Sequence, residues 1–370
     1  MREYALAALV AAVVTYLTTP VVRRCAVAWG AVAAVRERDV HSVPTPRLGG
    51  VAMFLGLSAG LLVARHTPVL HDVLRGSAEP RGVFWGGLVI CAVGVVDDRW
   101  GLDAFTKLAG QICAAGVMVT LGVQLSYAVV PGLGAVSISP DMAVPVTVLL
   151  VVIIVNAVNF VDGLDGLAAG VVGIAALGSF AYSYILLASL GVLREAPGTM
   201  LAAVLVGVCA GFLPHNFSPA RLFMGDSGSM LIGLVLAGAV TSAIGQVDAG
   251  SLRESTQSVP FLVPLLIPVA VLALPFLDLA MAVVRRTLSG KSPFAPDKLH
   301  LHHRLLEIGH STRRAVLLMY VWSALVGLGA VALFFSSGPL LVLAGLGVVA
   351  VLAGGAVLLP RWRRPRGVSS

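Results

Sequence analysis

Long apolar runs broken by short polar segments dominate this chain. A helix that crosses the ~30 Å hydrocarbon core of a bilayer needs about 20 mainly apolar residues. Eleven stretches are candidates: 5–22, 49–64, 83–96, 105–122, 142–158, 164–190, 200–213, 230–246, 259–284, 315–335 and 340–359. Three are short and need flanking residues, so ten spans is the alternative count. The first is not a signal-peptide pattern, because Arg2 and Glu3 cancel before it and Arg23 and Arg24 follow it. The ninth carries Pro264, Pro268 and Pro275 and should break or kink. Segment 123–140 alternates apolar and polar residues around Pro131-Gly132, which predicts a small external β-hairpin. The pattern predicts an all-α polytopic membrane protein, with one transmembrane domain over 1–359 and a basic tail over 360–370.

Composition excludes a soluble protein. Of 370 residues, 58% are hydrophobic and only 12% charged, too few charges to cover a surface in water. The net charge of +7 would suggest nucleic acid in a soluble chain, but here it belongs to loops, and no nucleic-acid partner is expected. If the loop after the first span is cytoplasmic, that side holds 19 Lys and Arg and the other six. The positive-inside bias then puts the N-terminus outside and the C-terminus in the cytoplasm. Cys25, Cys91, Cys113 and Cys209 form no CxxC pair and read as buried thiols.

The dense polar motifs all fall in loops assigned to the cytoplasmic side (23–48, 97–104, 156–166, 214–229 and 285–314). The first ends in PTPRLGG at 44–50, where Gly49 and Gly50 would let backbone approach a ligand closely. Alone it is also an ordinary basic interfacial loop. Span three ends at Asp97-Asp98, adjacent carboxylates that repel each other and call for a counter-cation. Mg²⁺ suits such a place, since it takes one or two carboxylates together with substrate phosphates. Lys107 follows about two and a half helical turns later. Asn156, Asn159, Asp162 and Asp165 recur every third residue as span five ends. Without a ligand such groups are costly beside an apolar run, although Asp162 or Asp165 would also serve to cap the next helix. The 214–229 loop holds Asn216 and Arg221, and ends in Gly225-Asp226-Ser227-Gly228 before a helix start that favours anions. His300, His302, His303 and Arg304 crowd the largest loop. With no Cys nearby to complete a zinc set, a cationic phosphate-binding cluster is the better reading.

Taken in order, PTPRLGG (44–50), VVDD (95–98), NAVNFVDGLDG (156–166), FMGDSGS (223–229) and HLHHR (300–304) resemble the polyprenyl-phosphate N-acetylhexosamine-1-phosphate transferases, over nearly the whole chain. The His-Leu-His-His-Arg string is similar to the WecA/TagO-like branch rather than its sister, the MraY-type phospho-MurNAc-pentapeptide transferases. The resemblance implies transfer of GlcNAc-1-phosphate from UDP-GlcNAc to polyprenyl phosphate, with release of UMP. It also implies Mg²⁺ (Mn²⁺ as a substitute), catalysis on the cytoplasmic face of the cell membrane, and a homodimer. By motif position it implies catalytic roles for Asp97, Asp98, Asp162, Asp165, His302 and His303. Asp226, with Asp97 and Asp98, would hold the metal. Arg47, Lys107, Asn156, Asn159, Asn216, Arg221, His300 and Arg304 would bind substrate, with Arg38 and His41 competing for the role given to Arg47.

A phosphate monoester has its second pKa near about 6, so the lipid phosphate is mostly a dianion at neutral pH and needs little general-base help. Charge repulsion from the donor pyrophosphate is then the main obstacle, and direct in-line attack is expected over a covalent phospho-Asp98 intermediate. Two other classes fit less well. A secondary transporter predicts acids near the bilayer midplane, whereas these lie at span ends and Asp278 is the main acid inside an apolar run. A scaffolding membrane protein leaves the five motifs unexplained.

Overall fold

The computed structural model describes residues 1–33, 44–130, 134–190, 196–245, 267, 269, 271, 311–335, 343, 346 and 347. Ten helices are defined there: α1 (Arg2–Trp29), α2 (Gly49–Ala64), α3 (Pro68–Gly76), α4 (Glu79–Trp100), α5 (Ala104–Thr120), α6 (Pro140–Val161), α7 (Leu167–Leu190), α8 (Pro197–Asn216), α9 (Gly225–Gly245) and α10 (Thr312–Phe335). Seven are long and apolar enough to cross a membrane, α2 with α3 forms an eighth, bent candidate, and α5 is a shorter apolar helix. The protein is an all-α polytopic membrane protein. Spans one to eight and ten of the sequence reading each coincide with a helix. The broken span nine, span eleven, residues 34–43 with Arg38 and His41, and the His300–Arg304 cluster lie outside the described residues.

Two short antiparallel pairs accompany the helices. β1 (Val32–Ala33) pairs with β2 (Thr45–Pro46) and closes the first loop onto itself. β3 (Tyr127–Val130) pairs with β4 (Gly134–Ser137), Tyr127 opposite Ser137, as the alternation at 123–140 predicts.

Helix α9 is the axis of the bundle. In its apolar stretch 94% of residues are buried, against 28% in α1. It packs on α2, α4, α6, α7 and α8. Its start is squeezed between two glycines. A Cβ on Gly94 of α4 would sit 2.3 Å from Ser227 Cα, and one on Gly50 of α2 would sit 2.2 Å from the Ser227 carbonyl carbon. Gly49 N–H and Gly50 N–H donate to Phe223 O and Met224 O, both at 3.1 Å. The Gly49-Gly50 pair was expected to admit a ligand; what it admits is the protein's own backbone.

The outer helices are tied in by polar contacts that suit an apolar medium, where every backbone group must find an internal partner. Pro20 lacks an N–H and so orphans the Tyr16 carbonyl one turn earlier. His215 Nε2 of α8 supplies the missing donor at 3.1 Å, which fixes the ring's tautomer. At the other end of α1, the Glu3 carboxylate accepts from Val69 N–H (2.8 Å) and Leu70 N–H (3.1 Å) and caps α3. The apolar pattern predicts no element between the spans at 49–64 and 83–96. The Thr67-Pro68 start and the buried Leu70 and Val73 make a nine-residue helix there, bent 102° from α2. The cysteine expectation needs correction as well. Cys91 and Cys209 are buried, but Cys25 and Cys113 are exposed, on outward faces of α1 and α5.

The chain runs back and forth so that one end of the bundle gathers the starts of α2, α5, α7, α9 and α10 and the ends of α1, α4, α6 and α8. Cross-links at that end include Arg99 Nε to Trp29 O (3.0 Å) and Arg313 Nε to Ser218 O (2.6 Å). All the predicted polar motifs that are described lie at this end.

The glycine contacts give a direct test. Gly94→Ala should cost about 3 kcal/mol or prevent folding, because backbone rather than a flexible side chain blocks the new methyl. Gly116→Ala on α5 meets nothing within 4 Å and should be neutral or stabilise by up to about 1 kcal/mol. Melting midpoints of the purified variants compare the two.

Candidate active site

The site is built around the first turn of α9. A helix start leaves several N–H groups without partners and carries partial positive charge. Asp98, at the end of α4, meets both needs. Its Oδ1 accepts from Asp226 N–H (2.9 Å), and its Oδ2 accepts from Ser227 N–H (3.2 Å) and Ser227 Oγ (2.7 Å). Gly225 makes room, with φ +70° and a missing Cβ that would fall 2.3 Å from Asp98 Oδ2.

Asp97 points elsewhere, since neighbours on a helix lie about 100° apart. Its Oδ1 accepts from Leu102 N–H at 2.6 Å, and its Oδ2 pairs with Lys107 Nζ at 2.9 Å. Lys107 Nζ also donates to the Asp226 carboxylate, so one ammonium bridges two acids from different helices. The counter-cation expected for the Asp97-Asp98 pair is thus divided: Lys107 serves Asp97, and the α9 helix start serves Asp98.

The end of α6 supplies the opposite wall. Asn159 Oδ1 accepts from Ser229 Oγ at 2.7 Å. Beyond Val161 the helix stops, and residues 162–166 form a turn ending at Gly166 with φ +82°. The Gly166 peptide is held on both sides. Its N–H donates to Asn216 Oδ1 at 3.1 Å, and its carbonyl accepts from the Tyr320 hydroxyl of α10. Asn216, 2% exposed, donates in turn to Leu222 O at 3.1 Å. Asp165 Oδ2 accepts from Ala220 N–H at 3.0 Å. Through Asn216 and Asp165 the turn is stitched to the segment between α8 and α9.

These elements enclose a cavity of about 360 Å³, lined among others by Arg47, Asp98, Asn159, Asp162, Asp165, Asn216, Phe223 and Asp226. Burial, and then the negative charges of Asp226 and Asp98, push the Asp162 carboxyl up to about 7, against the pull of Arg47. A cavity that holds back the ionisation of its own acid is one that favours an added cation.

Seven residues named from the sequence therefore meet: Arg47, Asp98, Asn159, Asp162, Asp165, Asn216 and Asp226. Asp97 and Lys107 stand behind Asp226 and orient it. Two others lie apart. Asn156 Nδ2 donates to Gln111 Oε1 (2.7 Å) and Val152 O (2.8 Å), inside the bundle. Arg221 opens on other cavities, with its backbone tied to His215 O. His300, His302, His303 and Arg304 lie outside the described residues. Four supporting residues were not among the predicted site residues: Gln111, Ser227, Ser229 and Tyr320. Gln111, one turn beyond Lys107 in an apolar helix, was the available signal for a polar face on α5. Nothing in the sequence around Tyr320 points to Gly166.

Among the described residues, no three His, Cys, Asp or Glu side chains form a closed metal cage. Asp98 is spent on α9 and Asp97 on Lys107 and Leu102. Asp226 gives its Oδ2 to Lys107 and keeps Oδ1 for the cavity that it lines with Asp162, which fits an ion that takes one or two carboxylates and completes its shell with phosphate oxygens and water.

Comparison with known proteins gives the family. Residues 81–244 match the family described as Glycosyl transferase family 4. The decaprenyl-phosphate N-acetylglucosaminephosphotransferase of Mycolicibacterium smegmatis is 47% identical over 98% of this chain and 90% of its own length. The protein of the same name from Mycobacterium tuberculosis is 48% identical, with the same coverage. The probable undecaprenyl-phosphate N-acetylglucosaminyl 1-phosphate transferase of Bacillus subtilis is 34% identical over 90% of this chain and 86% of its own length. The chain belongs to glycosyl transferase family 4.

Two predictions follow from the turn at 162–166. Tyr320→Phe removes only the hydroxyl that holds Gly166. Activity should fall about tenfold through misplacement of Asp162 and Asp165, while stability changes by no more than about 1 kcal/mol. Steady-state kinetics beside a melting curve separates the two effects. Asp162→Asn should lower activity as well, but with a gain in stability that depends on pH. An acid whose folded pKa is raised is most compatible with folding below its unfolded value of 3.8, and that contribution is lost as pH climbs through about 7. In chelator-containing buffer the Asn variant should therefore melt higher than the parent at pH 8, with the gap closing toward pH 4, while its activity drops by about tenfold or more.

Proposed function

We propose that this protein transfers GlcNAc-1-phosphate from UDP-GlcNAc to polyprenyl phosphate, giving polyprenyl-diphospho-GlcNAc and UMP, as the first membrane step of a cell-envelope glycopolymer. The observation that carries the reading is the cavity itself. Carboxylates, carboxamides and Arg47 from five separate chain segments meet at one end of an apolar bundle, in a chain whose relatives bear names for this transfer. A transporter would want its acids mid-bundle, whereas the described ones lie at or near helix ends, with Asp97, Asp98, Asp162, Asp165 and Asp226 together at one end of the bundle. The MraY-type alternative has the weaker support, because the relatives at 47–48% identity are named for N-acetylglucosamine.

In this reading an oxygen of the lipid phosphate attacks the sugar-bearing phosphorus. The bond from that phosphorus to the UMP oxygen breaks. Arg47 lies where a guanidinium can take up pyrophosphate charge, and Asn159 is held by Ser229 on the facing wall. Lys107 and Asp97 hold Asp226 in place. Asp226 and Asp162 would hold Mg²⁺, with Mn²⁺ as a substitute, and the bound ion would neutralise the diphosphate and the departing UMP. His300, His302, His303 and Arg304 are proposed to grip donor phosphates. Both Asp98 oxygens are already engaged by the start of α9, which makes that carboxylate a poor nucleophile and favours direct attack. The bias of Lys and Arg in the sequence toward the segments after spans one, three, seven, nine and eleven supports the cytoplasmic face of the cell membrane as the side of the reaction. The homodimer rests on the family resemblance.

The test is a radiolabel assay with purified protein, Mg²⁺, polyprenyl phosphate and a choice of UDP-sugars. Label from UDP-GlcNAc should enter the lipid phase, and chelation should stop it. Exchange of labelled UMP into UDP-GlcNAc should require polyprenyl phosphate; exchange without any lipid acceptor would establish the covalent route instead.

A further inference from the structure

Beyond the catalytic cavity, the segment from Phe217 to Leu222 has a second face. A separate cavity of about 600 Å³ opens there between the end of α8 and the start of α10, with Leu213, Pro214 and Phe217 as apolar wall and Arg221 and Arg313 beside them. It shares no lining residue with the catalytic cavity. On its other side Arg221 also lines a crevice of about 90 Å³ with Arg23 and His215. Three guanidinium groups from α1, the α8–α9 segment and α10 thus border apolar surface at the end of a membrane bundle.

Nothing described neutralises them. Arg23 and Arg221 make no ion pair with any described residue, and no acidic side chain lines either cavity. The nearby Asp165 is engaged by Ala220 N–H. Arg313 spends its Nε on Ser218 O, which aims the guanidinium and leaves its terminal amino groups for another acceptor. Planar guanidinium groups match phosphate oxygens in pairs. Basic pockets between transmembrane helices on the cytoplasmic side suit anionic headgroups. A free anion would gain nothing from Leu213 and Phe217, whereas a lipid also lays its chain against them.

We propose that this crevice binds the headgroup phosphate of an anionic bilayer phospholipid, of the phosphatidylglycerol class, on Arg221 and Arg313 with Arg23 at its edge. The occupant is not the reacting acceptor, because its phosphate would sit in a cavity separate from Asp162 and Asp226. Its effect is mechanical. It braces the Ser218 to Leu222 stretch, whose opposite side is bonded to Asp165 and Asn216.

The test uses the full chain in phosphatidylcholine nanodiscs doped with phosphatidylglycerol, with retained lipid read by native mass spectrometry and no substrate present. The parent should keep phosphatidylglycerol in preference to phosphatidylcholine. Arg221→Gln and Arg313→Gln should each weaken that preference about fivefold, the worth of one basic contact to an anionic lipid. Arg221→Lys, which keeps the charge but not the planar fork, should fall between the parent and Arg221→Gln, and Arg65→Gln, at the opposite end of the bundle, should leave the preference intact. Unchanged retention in the folded Arg221→Gln/Arg313→Gln double variant overturns the proposal. So does displacement of phosphatidylglycerol by an equal amount of polyprenyl phosphate, which would make this the acceptor's site, or by inorganic phosphate at millimolar levels. Because no turnover is measured, failure of the transfer reading would leave this result standing, and the converse holds too.

Discussion

The carboxylate of Asp98 lies against the opening turn of α9, and the geometry of the site follows from that contact. Burying an isolated carboxylate costs several kcal/mol. Two backbone N–H groups, one hydroxyl and the positive end of a helix offset that cost, each charge-assisted bond being worth about 1.5–3 kcal/mol. The contact closes only because Gly50, Gly94 and Gly225 keep three Cβ atoms out of its way. Once α9 is seated, Asp226 necessarily projects at the mouth of the bundle, where Lys107 and Asp97 hold it. Packing among apolar helices thereby sets the position of charged groups to within hydrogen-bond tolerance.

Much of this could be read from the chain beforehand, and the reasons are physical. Apolar runs in a bilayer protein are long and nearly unbroken, so span 49–64 and α2 coincide, and span 315–335 differs from α10 only by the first turn. Polar clusters stand out because lipid tolerates few of them, so Asp98, Asn159, Asp162, Asp165 and Asp226 were visible as a set. What the sequence hid was the partner of each group. Gly49 and Gly50 signal close approach without saying to what, and here it is Ser227 and Phe223. Asn156 has the spacing of its neighbours Asn159 and Asp162, yet faces α5 because the helix rotates it inward. Tyr320 lies 154 residues from Gly166, and local pattern carries no information about such a contact.

The segment between α8 and α9 connects two environments. One side is bonded through Asn216 and Asp165 to the turn that presents Asp162. The other meets α10 through Arg313 and opens on basic, apolar-walled space. A change at either side is transmitted by hydrogen bonds from side chains to backbone, so the turn and the segment should move as a unit.

The paired amides of Gln111 and Asn156 have a last consequence. Each side chain donates to and accepts from the other, and Gln111 also lies 3.5 Å from the Met230 sulfur of α9. Sliding α5 by one turn against α6 would strand both amides in hydrocarbon-like surroundings, where an unmet polar group costs several kcal/mol. The pair is therefore a ratchet tooth. It permits one axial setting of α5, and that setting delivers the Lys107 ammonium, one turn up the same helix, to the two acids it joins.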